Sequence, residues 1–126
     1  YHNLRQSPLT RKMQWFDIND LPQLCFDHKE IILKALNHLR EKVRYQPVGF
    51  HLLPAHFTLT ELQTMYEVIL GQKLDIRNFR KKVHKMELLE ETGQKQEKVP
   101  HRAARLYKFD PANYDRLVME GMTFQI

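Results

Sequence analysis

The sequence predicts a mainly helical α+β fold, and three observations predict it. Apolar residues recur at three- and four-residue spacing over residues 27–46, 58–70 and 75–88, the period of helices buried on one side. Only Gly71–Leu74 separates the second of these helices from the third. The period then changes, and "LLEETGQKQ" and "RAARLYKFD" alternate as the two strands of a hairpin. Two helices across a short turn, followed by a two-stranded hairpin, make a winged helix-turn-helix.

Each element has its local reason. Tyr1–Thr10 is polar, contains Pro8 and reads as a loop. Arg11–Ile18 reads as a leftover N-terminal strand with Met13 and Trp15 on one face, broken by "NDLP" (Asn19–Pro22). Asp27 is the expected N-cap of the first helix with Glu30 as its partner. Ile32, Ala35, Leu36, Leu39 and Val43 form its apolar stripe, and Pro47 ends it. Val48–Pro54 is short and apolar and reads as an extended strand. Thr58 and Glu61 form a capping box at the start of the second helix. Its stripe is Leu59, Leu62, Tyr66, Ile69 and Leu70, and Gly71 suits the position just past its end. Asp75 caps the third helix, expected to reach about Leu88, with Ile76, Phe79, Val83 and Met86 on its narrow apolar arc. In the hairpin, Ala104 and Leu106 face inward with either Tyr107 or Phe109. Pro111–Gly121 is a short last helix with proline at its first position.

Composition narrows the function classes. The chain has 126 residues, 42% of them hydrophobic, which suits one compact domain with some extra sequence. No apolar run approaches the roughly 18 residues of a membrane span, and no signal-peptide pattern is present. The single cysteine, Cys25, excludes an internal disulfide and fits a reducing, cytoplasmic compartment. Histidines are scattered, and neither H-E-x-x-H nor C-x-x-C spacing occurs, so no metal site is expected. Paired carboxylates, a glycine-rich phosphate loop and a nucleophile elbow are also missing, so neither catalysis nor a cofactor is expected. Because the sequence begins at Tyr1, it is expected to be a piece of a longer protein.

Charge gives the positive signal. Residues 71–109 carry 11 Lys/Arg against 5 Asp/Glu, more than the whole chain's net charge of +5. The third helix concentrates it: Arg77, Arg80, Lys81, Lys82 and Lys85 fall within nine residues. Cations clustered so closely repel unless solvent or a polyanion compensates them. A solvated face remains one reading; double-stranded DNA is the other. A B-DNA major groove, about 12 Å wide, admits one helix. Arg77 and Asn78 lie in the first turn, where Arg can bond guanine O6 and N7 and Asn can bond adenine N6 and N7. Lys81 and Lys85 are phosphate candidates. The start of the second helix, at Thr58 and Thr60, offers backbone N–H groups to a further phosphate. Lys95, Lys98, Arg102 and Arg105 give the wing a basic edge.

Four strings together, "LPQLCFDHKEIILKALNHLR", "FHLLPAHFTLTELQTMYEVILG", "LDIRNFRKKV" and "ARLYKFD", resemble one family. It is the C-terminal part of Nudix-related transcriptional regulators, over roughly Trp15 to Asp110. These are bacterial repressors with an N-terminal Nudix-fold domain and a C-terminal winged helix. The resemblance implies that residues 1–24 are the tail of a preceding Nudix-like domain and linker, and that residues 25–126 are the DNA-binding domain. It implies a homodimer in the full-length protein on a palindromic operator. It also implies a nucleotide-sugar type effector such as ADP-ribose, and target genes of NAD or sugar metabolism. By the matching motif, Arg77, Asn78, Arg80, Lys81 and Lys82 fall on the recognition helix. Two departures stand out. The Nudix box and its Mg²⁺-binding glutamates are absent, so this chain cannot hydrolyse a nucleoside diphosphate by that route. Where the family tends to have Arg-Pro-Ala before the Leu-Tyr pair, this chain has Arg102-Ala103-Ala104-Arg105. The alternatives are a winged helix used for protein docking, and a fragment of a Nudix hydrolase.

Overall fold

The computed structural model describes residues 13–97, 100 and 102–126. The loop expected over Tyr1–Thr10, the first two residues of the expected strand and Lys98 of the wing lie outside them. The elements in order are α1 (His28–Tyr45), a 3-10 helix (Pro47–Leu52), α2 (Leu59–Leu70), α3 (Ile76–Lys85), β1 (Leu89–Lys95), β2 (Arg105–Phe109) and α4 (Pro111–Met119). The chain divides into two compact units, residues 1–33 and 34–126, with the boundary inside α1.

In the first unit, Met13–Asp17 forms no strand, contrary to the expectation for Arg11–Ile18. A strand needs a neighbour for its backbone groups, and every ladder pair among the described residues lies between residues 57 and 109. The Asp27 carbonyl accepts the Ile31 N–H at 3.0 Å, which starts α1 where expected. Ile31 and Leu33 are exposed, and Phe26 is 95% exposed.

The core lies in the second unit. It joins Val43 of α1, Phe50, Phe57, four residues of α2 (Leu62, Tyr66, Ile69, Leu70), Phe79 and Val83 of α3, Leu88 and Phe124. The α1 stripe reaches this core only through its last turns: Val43 is fully buried, Leu39 packs against the core, and Ala35 is exposed. Val48–Pro54 was expected to be extended, but Pro47–Leu52 forms a 3-10 helix instead. Proline starts it, as a fixed φ near −65° allows. It brings Gly49 so close to α2 that a Cβ there would sit 2.7 Å from the Met65 Cε. Phe50 then stacks on Phe109 of β2, with ring centroids 4.5 Å apart.

α2 begins with the expected capping box. The Thr58 hydroxyl accepts the Glu61 N–H, and the Glu61 carboxylate accepts the Thr58 N–H at 2.7 Å. It ends at Gly71, whose φ of 68° is the left-handed conformation that glycine adopts without a Cβ clash. Arg40 of α1 donates to the Ile69 carbonyl at 2.9 Å, covering a backbone oxygen at that helix end.

β1 and β2 pair antiparallel, with Leu89 opposite Phe109, Glu90 opposite Lys108, Glu91 opposite Tyr107 and Lys95 opposite Arg105. The register shifts between Glu91 and Lys95, where Gly93 takes a φ of 74°. The Thr92 hydroxyl fills part of the broken ladder by donating to the Leu106 carbonyl. β2 is bonded on its other side too, since Phe57 and Tyr107 exchange both backbone bonds, at 2.8 and 2.9 Å. α4 starts at the Asp110 cap with Pro111 behind it.

One buried group stands apart. Tyr66 is fully buried, yet its hydroxyl is the one buried side-chain polar atom without a hydrogen-bond partner among the described residues. Burial pushes that phenol well above its ordinary pKa. Tyr66→Phe is therefore expected to leave stability unchanged or raise it by about 1 kcal/mol, read by thermal denaturation. A loss of more than about 1 kcal/mol would mean that ordered water serves the hydroxyl.

Candidate nucleic-acid interface

The basic face is built by the division of α3. Phe79 and Val83 are buried at 4% and 1% exposure and hold the helix to the core, Phe79 against the ring of Tyr66 at 5.8 Å. A helix repeats every 3.6 residues, so the residues a half-turn away from this pair point outward. Arg77, Asn78, Lys81, His84 and Lys85 occupy that side, and all five are exposed. Arg80 and Lys82 flank it and are exposed as well. Two expectations for this helix need correction. It ends at Lys85, three residues short of Leu88, because Glu87 turns to a φ of 52° and sends the chain into β1. Ile76, placed on the apolar arc, is 56% exposed, because it is the first helical residue and lies beyond the packed turn.

Asp75 caps α3 by accepting the Asn78 N–H at 2.8 Å. The Asn78 backbone is thus engaged while its side chain is exposed, which keeps the amide available for a base edge. Among the described residues, none of Arg77, Arg80, Lys81, Lys82 or Lys85 forms an ion pair. The wing is different. Arg105 pairs with Glu91 and Lys108 with Glu90, each at 3.0 Å across the β1–β2 ladder. Half-exposed pairs of this kind contribute little to stability, but they cancel much of the field that the strand cations would otherwise project. Lys95 is exposed opposite Arg105.

The residues named at the second helix divide into two kinds. Thr58 is buried at 3% exposure, and its hydroxyl and N–H both meet the Glu61 carboxylate. The capping box therefore puts a negative group on part of the helix start where a phosphate was expected. Thr60 is exposed and turned toward α3, its hydroxyl accepting a long bond of 3.5 Å from Arg80. A cleft of about 170 Å³ brings Thr58, Thr60, Arg80 and Arg105 together between α2, α3 and β2, with Tyr107 in its wall. Arg102 lines a larger cleft of about 550 Å³ with Thr60, Glu61, Thr64 and Gln96, which shares Thr58, Thr60 and Ala104 with the smaller one.

Two residues of the region escaped the sequence reading. Gln63 and Glu67 of α2 bond the backbone of Leu74, immediately before the α3 cap. The available signal was their i, i+4 spacing on the side of α2 next to a four-residue turn. Among the described residues no group of three or more His, Cys, Asp or Glu side chains could hold a metal ion, and no helix is long and apolar enough to cross a membrane.

Comparison with known proteins agrees with this geometry. The "ADPR responsive transcriptional repressor NtrR" of Acinetobacter baylyi is 40% identical over 92 residues, which is 73% of this chain and 36% of that protein. The crystal structure of Shewanella oneidensis NrtR complexed with a 27mer DNA superposes with a TM-score of 0.64 at 36% identity, covering 79% of this chain and 44% of that one. The structure of Shewanella oneidensis NrtR alone gives 0.60 at 37% identity, covering 72% and 41%. This chain thus spans less than half the length of each of these relatives. Residues 49–109, which run from the 3-10 helix through α2, α3 and the wing, match the NrtR DNA-binding winged helix domain, and this segment belongs to that family.

Proposed function

We propose that this chain is the DNA-reading part of a transcriptional repressor, with α3 seated in the major groove of duplex DNA. The observation that carries the proposal is the row of exposed α3 cations that have no carboxylate partner among the described residues, set on a helix anchored by Phe79 and Val83. Arg77 and Asn78, in the first turn of α3, read base edges. Lys81 and Lys85 contact phosphates, and Arg80 and Lys82 meet the two backbones that border the groove. Thr60 and Arg102 extend the contact from α2 and the wing, and Arg105 joins once its pairing with Glu91 opens. The 27mer DNA in the complex of the Shewanella relative supports DNA as the partner.

The wider reading follows the family. The parent protein acts as a homodimer on a palindromic operator, works in the cytoplasm and controls genes of NAD metabolism. Residues 1–24 are the tail of a Nudix-like domain that senses ADP-ribose, the effector type named for the Acinetobacter relative. The chain itself is not an enzyme. Protein docking is a second reading, favoured by one observation: Trp15, Phe16, Phe26 and Ile31 are all exposed in the first unit.

Mutation separates phosphate contact from base reading. Lys81→Ala and Lys85→Ala are each expected to weaken binding to any duplex and to flatten the salt dependence by about one unit of slope. Fluorescence anisotropy across a salt series measures both. An unchanged slope in the double variant would remove these lysines from the phosphate contact.

A further inference from the structure

The α2–α3 turn holds a network that the reading above leaves unused. Gln63 is a buried polar residue at 8% exposure. Its side-chain Nε2 donates to the Leu74 carbonyl at 3.1 Å and to Glu67 Oε1 at 3.0 Å. Glu67 Oε1 also accepts the Leu74 N–H at 3.1 Å, and Oε2 accepts Lys73 Nζ at 2.7 Å. Both backbone groups of Leu74 are thus held by side chains of α2, one residue before the Asp75 cap of α3. The Lys73 ammonium, the Leu74 N–H and the Gln63 amide together hold the Glu67 carboxyl down to about 2. The acceptor therefore stays charged at any pH at which DNA would be bound. Farther along, the bond from Arg80 to Thr60 makes a second, longer tie between the same two helices.

We propose that Glu67 and Gln63 are positioning residues for sequence reading, which set the angle at which α3 is presented to the groove; this rests on the DNA-binding role proposed above. A tilt of roughly 10° about Leu74 moves Arg77 and Asn78, about 5 Å along the helix, by about 0.9 Å, and the far end at Lys85, about 15 Å away, by about 2.6 Å. A shift of about 0.9 Å is enough to take a base-edge hydrogen bond of about 2.9 Å out of bonding range, whereas Lys81 and Lys85 follow their larger shifts with flexible stems. Loss of the network should therefore damage specificity more than overall affinity.

The test uses the whole chain and a library of random-sequence duplexes. The wild-type chain enriches its preferred duplex. Affinities for that duplex and for the random pool are then compared among variants at a temperature where circular dichroism shows each folded. Glu67→Ala is expected to lower the preferred-to-random ratio by about tenfold, the cost of one misread base pair, with pool affinity nearly unchanged. Glu67→Gln, which can still accept the Leu74 N–H, should recover much of the ratio, and Lys73→Ala should leave it intact. A purely structural role would lower the melting temperature of Glu67→Ala but not the ratio in the folded protein. An unchanged ratio in folded Glu67→Ala overturns this proposal and leaves the DNA-binding role standing, while failure of the wild-type chain to bind any duplex overturns both. Amide exchange at Leu74, read without DNA, is expected to quicken about tenfold in Glu67→Ala; no change would overturn the lock directly.

Discussion

Phe79→Ala is expected to lower the stability of the winged-helix unit by about 3–5 kcal/mol, the usual cost of truncating a buried phenylalanine. The ring is 4% exposed and packs on Tyr66, itself fully buried. α3 offers one other fully engaged apolar side chain, Val83, so its attachment depends on this pair. Single domains are stable by only about 5–15 kcal/mol, so the variant should be partly unfolded at ambient temperature and lose DNA binding in proportion. The shift in urea midpoint at constant slope measures it. A loss below about 1 kcal/mol would mean that α3 is held by something other than this contact. Ile76→Ala, on the exposed first residue of the same helix, is the control and should change stability by less than about 0.5 kcal/mol.

The second large effect concerns reading. Arg77→Ala and Asn78→Ala are each expected to weaken binding to the preferred duplex by about 1–3 kcal/mol, and to relax the preference at one base pair while affinity for random duplex changes little. The two side chains lie side by side in the first turn of α3 and are exposed, while the Asn78 backbone is fixed by Asp75. The measurement is competition by a panel of single-base variants of the preferred site. An equal loss on preferred and random DNA would make Arg77 a phosphate contact, and would move the reading role to Lys81 or the wing.

The helix-turn-helix was legible because its signals are local. The Thr58–Glu61 box, the Gly71 stop and the Asp75 cap each depend on a few neighbouring residues, and all three formed. The division of α3 followed from its period, and Phe79 and Val83 went inside as that period requires. What failed depended on distant partners. Met13–Asp17 has strand-like alternation but no strand to pair with among the described residues. Val48–Pro54 looks extended by composition, yet residues 47–52 coil and Gly49 lets them lie close against Met65. Phe57 adds a single backbone bridge to the outer side of β2 through Tyr107, which no spacing announces. Phe124 enters the core from a segment without periodicity.

The interface was legible in the same uneven way. The cations of α3 could be located from the sequence, but their lack of ion-pair partners among the described residues could not, since pairing is a matter of what lies across a gap. Like Arg77, Arg105 and Thr58 were expected at the DNA, Arg105 on the edge of the wing and Thr58 at a phosphate. The structure gives Arg105 a carboxylate at 3.0 Å and uses Thr58 inside a cap. Glu67 and Gln63 passed as ordinary polar positions on α2 until Leu74 was seen between them.

The central claim is that the α3 cations are compensated by nucleic acid and not by solvent. It is tested most directly by titrating this chain against a random-sequence duplex in fluorescence anisotropy, over salt from about 50 to 200 mM. If Arg80, Lys81, Lys82 and Lys85 each neutralise a phosphate, log affinity should fall with log salt at a slope of about −3.6, a loss of about 150-fold across that range. A slope near zero, or no binding at the lowest salt by protein shown to be folded, would contradict the account and leave α3 as a solvated basic face.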